Sequence, residues 1–247
     1  MNIQEKTDSL TEAFDITKSD QVIAFVGAGG KTTLIDFLAQ ELAKKGFYVG
    51  IMTTTHRYYP QKFNAIEKKK EEILEILKRE HIAEIGRIAQ TQHPVKTGPV
   101  SREMYEWMKR QVDFLLVEAD GAKRMPVKVP GMQEPVLYSD MKKVIVTAGL
   151  CAVGKKWKES CFRCNSYFSQ TDSEKIVQAD DIVYLMQSVY PKADGRTWMF
   201  FFNQWDCIRC EEQKERVKSA VAISRYPIRW GQLQKDSDKK IEVWGNR

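Results

Sequence analysis

The 247-residue sequence lacks the features that mark several protein classes. No apolar run approaches the roughly 18 residues needed to cross a bilayer, so no helical membrane span and no membrane partner are expected. The opening MNIQEKTDSL carries acids and has no apolar stretch, so no secretory leader is expected either. Five cysteines are too few for a disulfide scaffold of this length and point to a reducing, cytoplasmic setting. There is no internal repeat, no Gly/Ser linker and no Pro-rich stretch, so residues 1–247 are expected to form one domain. Charge of neither sign dominates: 39 Lys and Arg stand against 33 Asp and Glu, a formal +6, which gives no reason to expect nucleic acid as a partner. What is present in quantity is core material. An apolar fraction of 43%, with eleven Phe, nine Tyr and six Trp, excludes a disordered chain.

Short apolar runs alternate with longer amphipathic ones, the pattern of βαβ units around a mostly parallel sheet. Strands are predicted at Val22–Gly27, 48–53, 84–89, Phe114–Glu118, 143–148 and 198–203. Helices are predicted over 31–45, 64–80, 101–111, 173–187 and 209–224, with Gly46 ending the first and Ser173 capping the fourth. Residues 1–20 read as an amphipathic lead-in helix and 225–247 as short edge strands. The lysine-rich run 67–80 interleaves acids with bases and sets Ile73, Leu74 and Leu77 on one face, so it reads as a solvated helix. The expected fold is α/β: a P-loop NTPase-like three-layer sandwich with a mostly parallel sheet.

The most informative stretch is VIAFVGAGGKTTLIDFLA, starting at Val22. A β-branched strand runs into Gly27, Ala28, Gly29 and Gly30, and an amphipathic helix begins at Lys31. Glycines let such a loop curl its N–H groups around phosphate oxygens, and the helix N-terminus adds unpaired N–H groups and a positive dipole end. Lys31 can reach β- and γ-phosphates, Thr32 can complete the coordination of Mg²⁺, and Thr33 follows in the first turn. The spacing is G-x-x-G-K-T-T, shorter than the standard phosphate loop, whose first glycine would stand where this chain has Phe25. A short loop of this kind is similar to that of the Mur ligases.

A phosphate loop needs an acid on a neighbouring strand, and FLLVEADG ends in Glu118 and Asp120 where open α/β sheets bind ligands. Glu118 is the first candidate for the Mg²⁺ shell and Asp120 the second, with turn capping the alternative for Asp120. Thr53, Thr54, Thr55 and His56 should reach the same sheet edge, where they either meet a second substrate or simply suit a strand end. The strand 198–203 ends in Asn203-Gln-Trp-Asp206, similar to the N-K-x-D element with which GTP-binding proteins read guanine, with Gln in place of Lys. ATP and GTP both stay open as the nucleotide. Lys123, Arg124 and Lys128, stiffened by Pro126 and Pro130, make an anion-handling loop or a solvated basic one. Four cysteines fall into two C-x-x-C pairs, Cys161 with Cys164 and Cys207 with Cys210, while Cys151 reads as a core residue. A shared Zn²⁺ site, a redox dithiol and unrelated thiols are the three readings, because the pairs lie far apart in sequence.

Taken together, VGAGGKTT (26–33), TTTHRYYP (53–60), VEADGAKRMPVKVPGMQEPV (117–136) and NQWD (203–206) resemble the YqeC family, across about 20–220 in consistent order. The resemblance marks Gly27, Gly29, Gly30, Lys31, Thr32, Glu118, Asp120, Lys123, Lys128, Glu134, Asn203 and Asp206 as site candidates. Where that family often has His-Arg, this chain has Phe162-Arg163 between two cysteines, so a histidine role there is lost or has passed to thiols; Arg163 is a further candidate for the substrate side. The resemblance implies an accessory protein that matures the cofactor of a selenium-dependent molybdenum hydroxylase. Its partners would be a nucleoside triphosphate, a molybdopterin-type cofactor and the hydroxylase client. Three functions compete on these residues: NTP hydrolysis or phosphoryl or nucleotidyl transfer, a Mur-like ATP-dependent ligase, and a non-catalytic nucleotide-gated cofactor chaperone.

Overall fold

The six apolar runs are strands of one sheet. In the computed structural model, which describes residues 3–233 and 241–246, the chain begins with strand β1 (Ile3–Thr7) and a one-turn helix α1 (Leu10–Ala13). There follow β2 (Val22–Gly27), α2 (Lys31–Lys44), β3 (Val49–Thr53), β4 (Arg57–Tyr58) and β5 (Asn64–Ile66). Next come α3 (Lys70–Glu80), β6 (Ile82–Gln90), β7 (Lys96–Gly98), α4 (Arg102–Gln111) and β8 (Phe114–Glu118). After β9 (Val127–Lys128) and β10 (Lys143–Gly149) the chain forms α5 (Trp157–Ser160), β11 (Cys161–Phe162) and α6 (Gln170–Ser173). It closes with α7 (Ala179–Val189), β12 (Thr197–Asn203), α8 (Glu211–Ala222), β13 (Ile228–Leu233) and β14 (Ile241–Asn246).

The sheet runs β1-β14-β13-β12-β10-β2-β8-β3-β6-β7-β4, with β5 beside β6. Pairing is parallel from β13 to β6 and antiparallel at both ends. β2 sits in the middle, with Ala24 opposite Val144 of β10 and Val117 of β8. Its side chains alternate between two cores, as strand geometry demands. Val22, Ala24 and Val26 face Tyr105 and Met108 of α4, Met186 of α7 and Val221 of α8. Ile23 and Phe25 face Leu34 and Leu38 of α2 and Phe14 beyond α1. Each large apolar side chain so buried contributes roughly 1.5–3 kcal/mol. Helices cover both faces, so the architecture is the expected three-layer α/β sandwich of P-loop NTPase type.

Several predicted boundaries change. Residues 64–80 do not form one helix: Asn64–Ile66 is a strand parallel to β6, set by the Asn64 side chain accepting from the Ile66 N–H at 3.0 Å, and Glu67 turns the chain at φ +56°. The predicted helix 173–187 divides into α6 and α7; Ser173 ends α6, and α7 starts after Gln178, whose N–H donates to the Asp181 carboxylate at 3.0 Å. The lead-in 1–20 is part strand, because β1 pairs antiparallel with β14. The C-terminal part forms β13 and β14, and 234–240 lie outside the described residues.

Candidate functional site

The 27–33 loop leaves the carboxyl end of β2 and opens α2. Gly27, Gly29 and Gly30 have φ of +93°, +67° and +113°. A Cβ on Gly29 would lie 2.0 Å from the Gly149 nitrogen, so at that position both the backbone sign and the space require glycine. Neighbouring strands clamp the loop: the Ala28 N–H donates to the Thr147 carbonyl at 2.8 Å, the Thr147 hydroxyl to the Ala28 carbonyl at 2.6 Å, and the Asn203 amide to the Gly29 carbonyl at 3.0 Å. α2 begins with no side-chain cap, which leaves its first N–H groups directed at the loop.

Behind the loop lies a buried charge network. Lys31 donates to Asp120 at 2.7 Å and to the Gly27 carbonyl, and stands 3.9 Å from Glu118. Asp120 is fully buried; it accepts from the Gly27 N–H at 3.0 Å and the Tyr190 hydroxyl at 2.8 Å, and pairs with Lys128 at 3.1 Å. Burial raises its carboxyl, but the charges of Lys31 and Lys128, with the hydrogen bonds from Lys31 and Gly27, outweigh it and hold the group below the usual range. Tyr190 is pushed well up, first by burial and then by the Asp120 charge. Lys128 continues the row, donating to the Gly121 carbonyl at 2.7 Å and pairing with Glu134 at 2.6 Å, and Glu134 in turn pairs with Arg163. Lys31, Asp120, Lys128, Glu134 and Arg163 thus alternate in sign from the phosphate loop to the β9–β11 ribbon.

A second cluster centres on Arg57, which is buried. Its guanidinium meets Asp36 at 2.8 Å, Glu84 at 2.9 Å and Glu118 at 3.0 Å. Burial lowers its affinity for the proton, but the three carboxylates more than reverse that. One cation cannot satisfy three acids, two of them buried, and Glu84 is raised to about 7, chiefly by burial and then by the Asp36 and Glu118 charges against the pull of Arg57. The Thr32 hydroxyl lies 3.5 Å from Glu118, so these two oxygens share one point at the head of α2.

The loop lines a cavity of about 750 Å³. Gly29, Gly30, Lys31, Thr32, Glu118 and Gln204 line it together with Thr55, His56, Lys123, Glu134 and Arg163. Other predicted residues sit elsewhere. The Thr54 hydroxyl is spent on the Val136 carbonyl at 2.9 Å, and that of Thr53 on the Glu118 carbonyl at 2.9 Å. Lys128 is fully buried behind the wall, and Asp206 is exposed in a turn outside it. Asn203 grips the loop, and the neighbouring Gln204, which sequence reasoning passed over, brings a buried carbonyl oxygen without a hydrogen-bond partner to the cavity wall. Arg57, Glu84, Asp36 and Tyr190 were also missed; only the HRYYP run pointed near any of them.

The shared zinc reading does not hold. Cys161 and Cys164 are buried on the β9–β11 side, whereas Cys207 and Cys210 are exposed between β12 and α8. Among the described residues no three His, Cys, Asp or Glu side chains gather to hold a metal ion. Burial pushes the Cys161 thiol up to about 12. Cys151 is half-buried at the cavity wall rather than in the core.

A glycine loop between a central parallel strand and its helix, with an acid at the end of the adjacent strand, defines this as a P-loop NTPase-like α/β protein. The chain belongs to the YqeC family, whose model, described as YqeC protein, matches residues 23–165. A protein of Escherichia coli strain K12 described as uncharacterized protein YqeC is 28% identical over 222 residues, covering 78% of this chain and 79% of that protein. Among solved structures, FlhF complexed with GMPPNP and Mg²⁺ is similar at a TM-score of 0.48 and 11% identity, covering 96% of this chain and 74% of its own. The hydrogenase maturation factor HypB of Archaeoglobus fulgidus is similar at a TM-score of 0.41 and 14% identity, over 92% of this chain and 87% of its own. No helix among the described residues is long and apolar enough to cross a membrane.

Proposed function

We propose that the 27–33 loop binds a nucleoside triphosphate with Mg²⁺ and that the protein hydrolyses it or transfers a group from it. The observation that carries this reading is the loop: three left-handed glycines, clamped by β10 and β12, open the uncapped N-terminus of α2 into the cavity. The donor set suits Mg²⁺, since the Thr32 hydroxyl and Glu118 carboxylate are hard oxygen ligands 3.5 Å apart beside the loop. Bound there, Mg²⁺ would neutralise phosphate charge. Lys31 would exchange part of its pairing with Asp120 for the β- and γ-phosphate oxygens, while Arg57 holds Glu118 in place. The orphaned oxygen of Gln204 offers the base an acceptor. Such catalysis is chiefly positioning and electrostatics. The family resemblance supports a cytoplasmic maturation role for the cofactor of a selenium-dependent molybdenum hydroxylase.

Phosphate release from ATP, GTP and CTP with Mg²⁺ tests the reading. Lys31→Ala is expected to lower turnover by about a hundredfold or more, the cost of losing a charge-assisted contact in the transition state. Thr32→Ala, which leaves the Asp120 network intact, is expected to raise the Mg²⁺ requirement. Unchanged turnover in both folded variants would overturn the proposal.

A further inference from the structure

The phosphate loop accounts for part of the cavity lining and leaves its basic, aromatic part unexplained. There, the guanidinium carbon of Arg124 lies 4.4 Å from the centroid of the Tyr58 ring and Lys96 Nζ lies 6.0 Å from it. Lys123 Nζ and the Arg163 guanidinium carbon lie 5.1 Å and 4.7 Å from the Phe162 centroid. Among the described residues no carboxylate forms an ion pair with Lys96, Lys123 or Arg124. A cation held over a ring face is positioned without being neutralised, so its charge stays available to an anion.

The backbone supports the same point. Lys123, Arg124 and Arg163 have φ of +47°, +62° and +59°. Such backbone recurs where side chains are aimed at a ligand. The wall is not only basic: Met125 and Pro126 join the two aromatic rings in lining the cavity. Free phosphate or another small inorganic anion would use the cations alone and leave that apolar surface in water.

We propose that this basic, aromatic part of the lining is a second ligand subsite for a small phosphorylated compound with a planar ring. Its phosphate meets Lys96, Lys123 and Arg124, and its ring packs against Tyr58 and Phe162. The subsite deepens the nucleotide reading and rests on it only for the identity of the neighbouring ligand. The row Lys31, Asp120, Lys128, Glu134 and Arg163, buried at its first three members, links the phosphate loop to the Phe162 side of the cavity.

Flavin mononucleotide serves as the probe, because ring stacking quenches its fluorescence. It is titrated into protein first saturated with Mg²⁺ and a non-hydrolysable ATP or GTP analogue. Saturable quenching is expected, with riboflavin and ribose 5-phosphate each at least about tenfold weaker. The double variant Lys123→Ala/Arg124→Ala and the single variant Tyr58→Ala are each expected to weaken the probe by about tenfold or more. Both should leave the thermal shift given by the nucleotide analogue unchanged. Displacement of the probe by the analogue, equal binding by both variants, or no saturable quenching would overturn the subsite. So would an oligonucleotide that competes better than the probe, which would make the basic part a nucleic-acid surface. Should no analogue bind, the nucleotide reading fails alone, since the titration on unliganded protein still reads the subsite.

Discussion

Asp120 gathers the Gly27 N–H, Lys31, Lys128 and Tyr190 around one buried carboxylate. Neutralising it takes the nearest carboxylate from Lys31 and one of two from Lys128, both buried, so Asp120→Asn is expected to cost about 3 kcal/mol in chemical denaturation. Because its folded value is depressed, the stability it contributes is present above the ordinary carboxylate range and is lost as pH falls through the folded value. Glu84 acts in the opposite sense. Raised from 4.5 to about 7, it binds more protons folded than unfolded, so its contribution diminishes as pH rises through that window. Melting temperatures from about pH 5 to about pH 8 should therefore decline less for Glu84→Gln than for the parent; an identical slope would exclude this role for Glu84. Lys31, Glu118 and the glycines were legible in sequence because their chemistry is local to one loop or strand end. Arg57 and Tyr190 were not, since three acids from α2, β6 and β8 define the first and Asp120 alone defines the second.

Among the elements, the phosphate loop is the most constrained by its neighbours. Gly29→Ala would drive a Cβ into the backbone of Gly149 and fix a left-handed φ on alanine. A stability loss of more than about 2 kcal/mol, with loss of nucleotide binding, is expected from calorimetry on that variant, and a parent-like melting temperature would contradict the loop geometry. Strands β2, β3, β6, β8, β10 and β12 could be read from alternating and continuous apolar runs. The two-residue strands β4, β9 and β11 could not, because a pair of residues has no period to detect. β9 and β11 nonetheless set the outer wall, since their parallel pairing places Phe162 beside Lys128. The block 117–136 has a physical reason here: Asp120 and Lys128 are buried links between the loop and that ribbon, and Glu134 carries the pairing on to the cavity wall.

At the scale of the molecule, the parallel order β12-β10-β2-β8-β3 brings the ends of distant segments to one edge. Sequence order alone does not give that adjacency, which is why Asn203 was expected at a base and is found clamping the loop. The same topology parts the two cysteine pairs. Metal analysis is accordingly expected to find equal zinc in the parent and in Cys161→Ser; a stoichiometric zinc lost in the variant would contradict the arrangement. The most direct test of the account is calorimetric titration of Mg²⁺ with a non-hydrolysable ATP or GTP analogue into the parent and Lys31→Ala. One saturable site is predicted, weakened by about tenfold to a hundredfold in a variant that keeps the parent's circular dichroism. Equal affinity in the two proteins would contradict nucleotide binding at this loop.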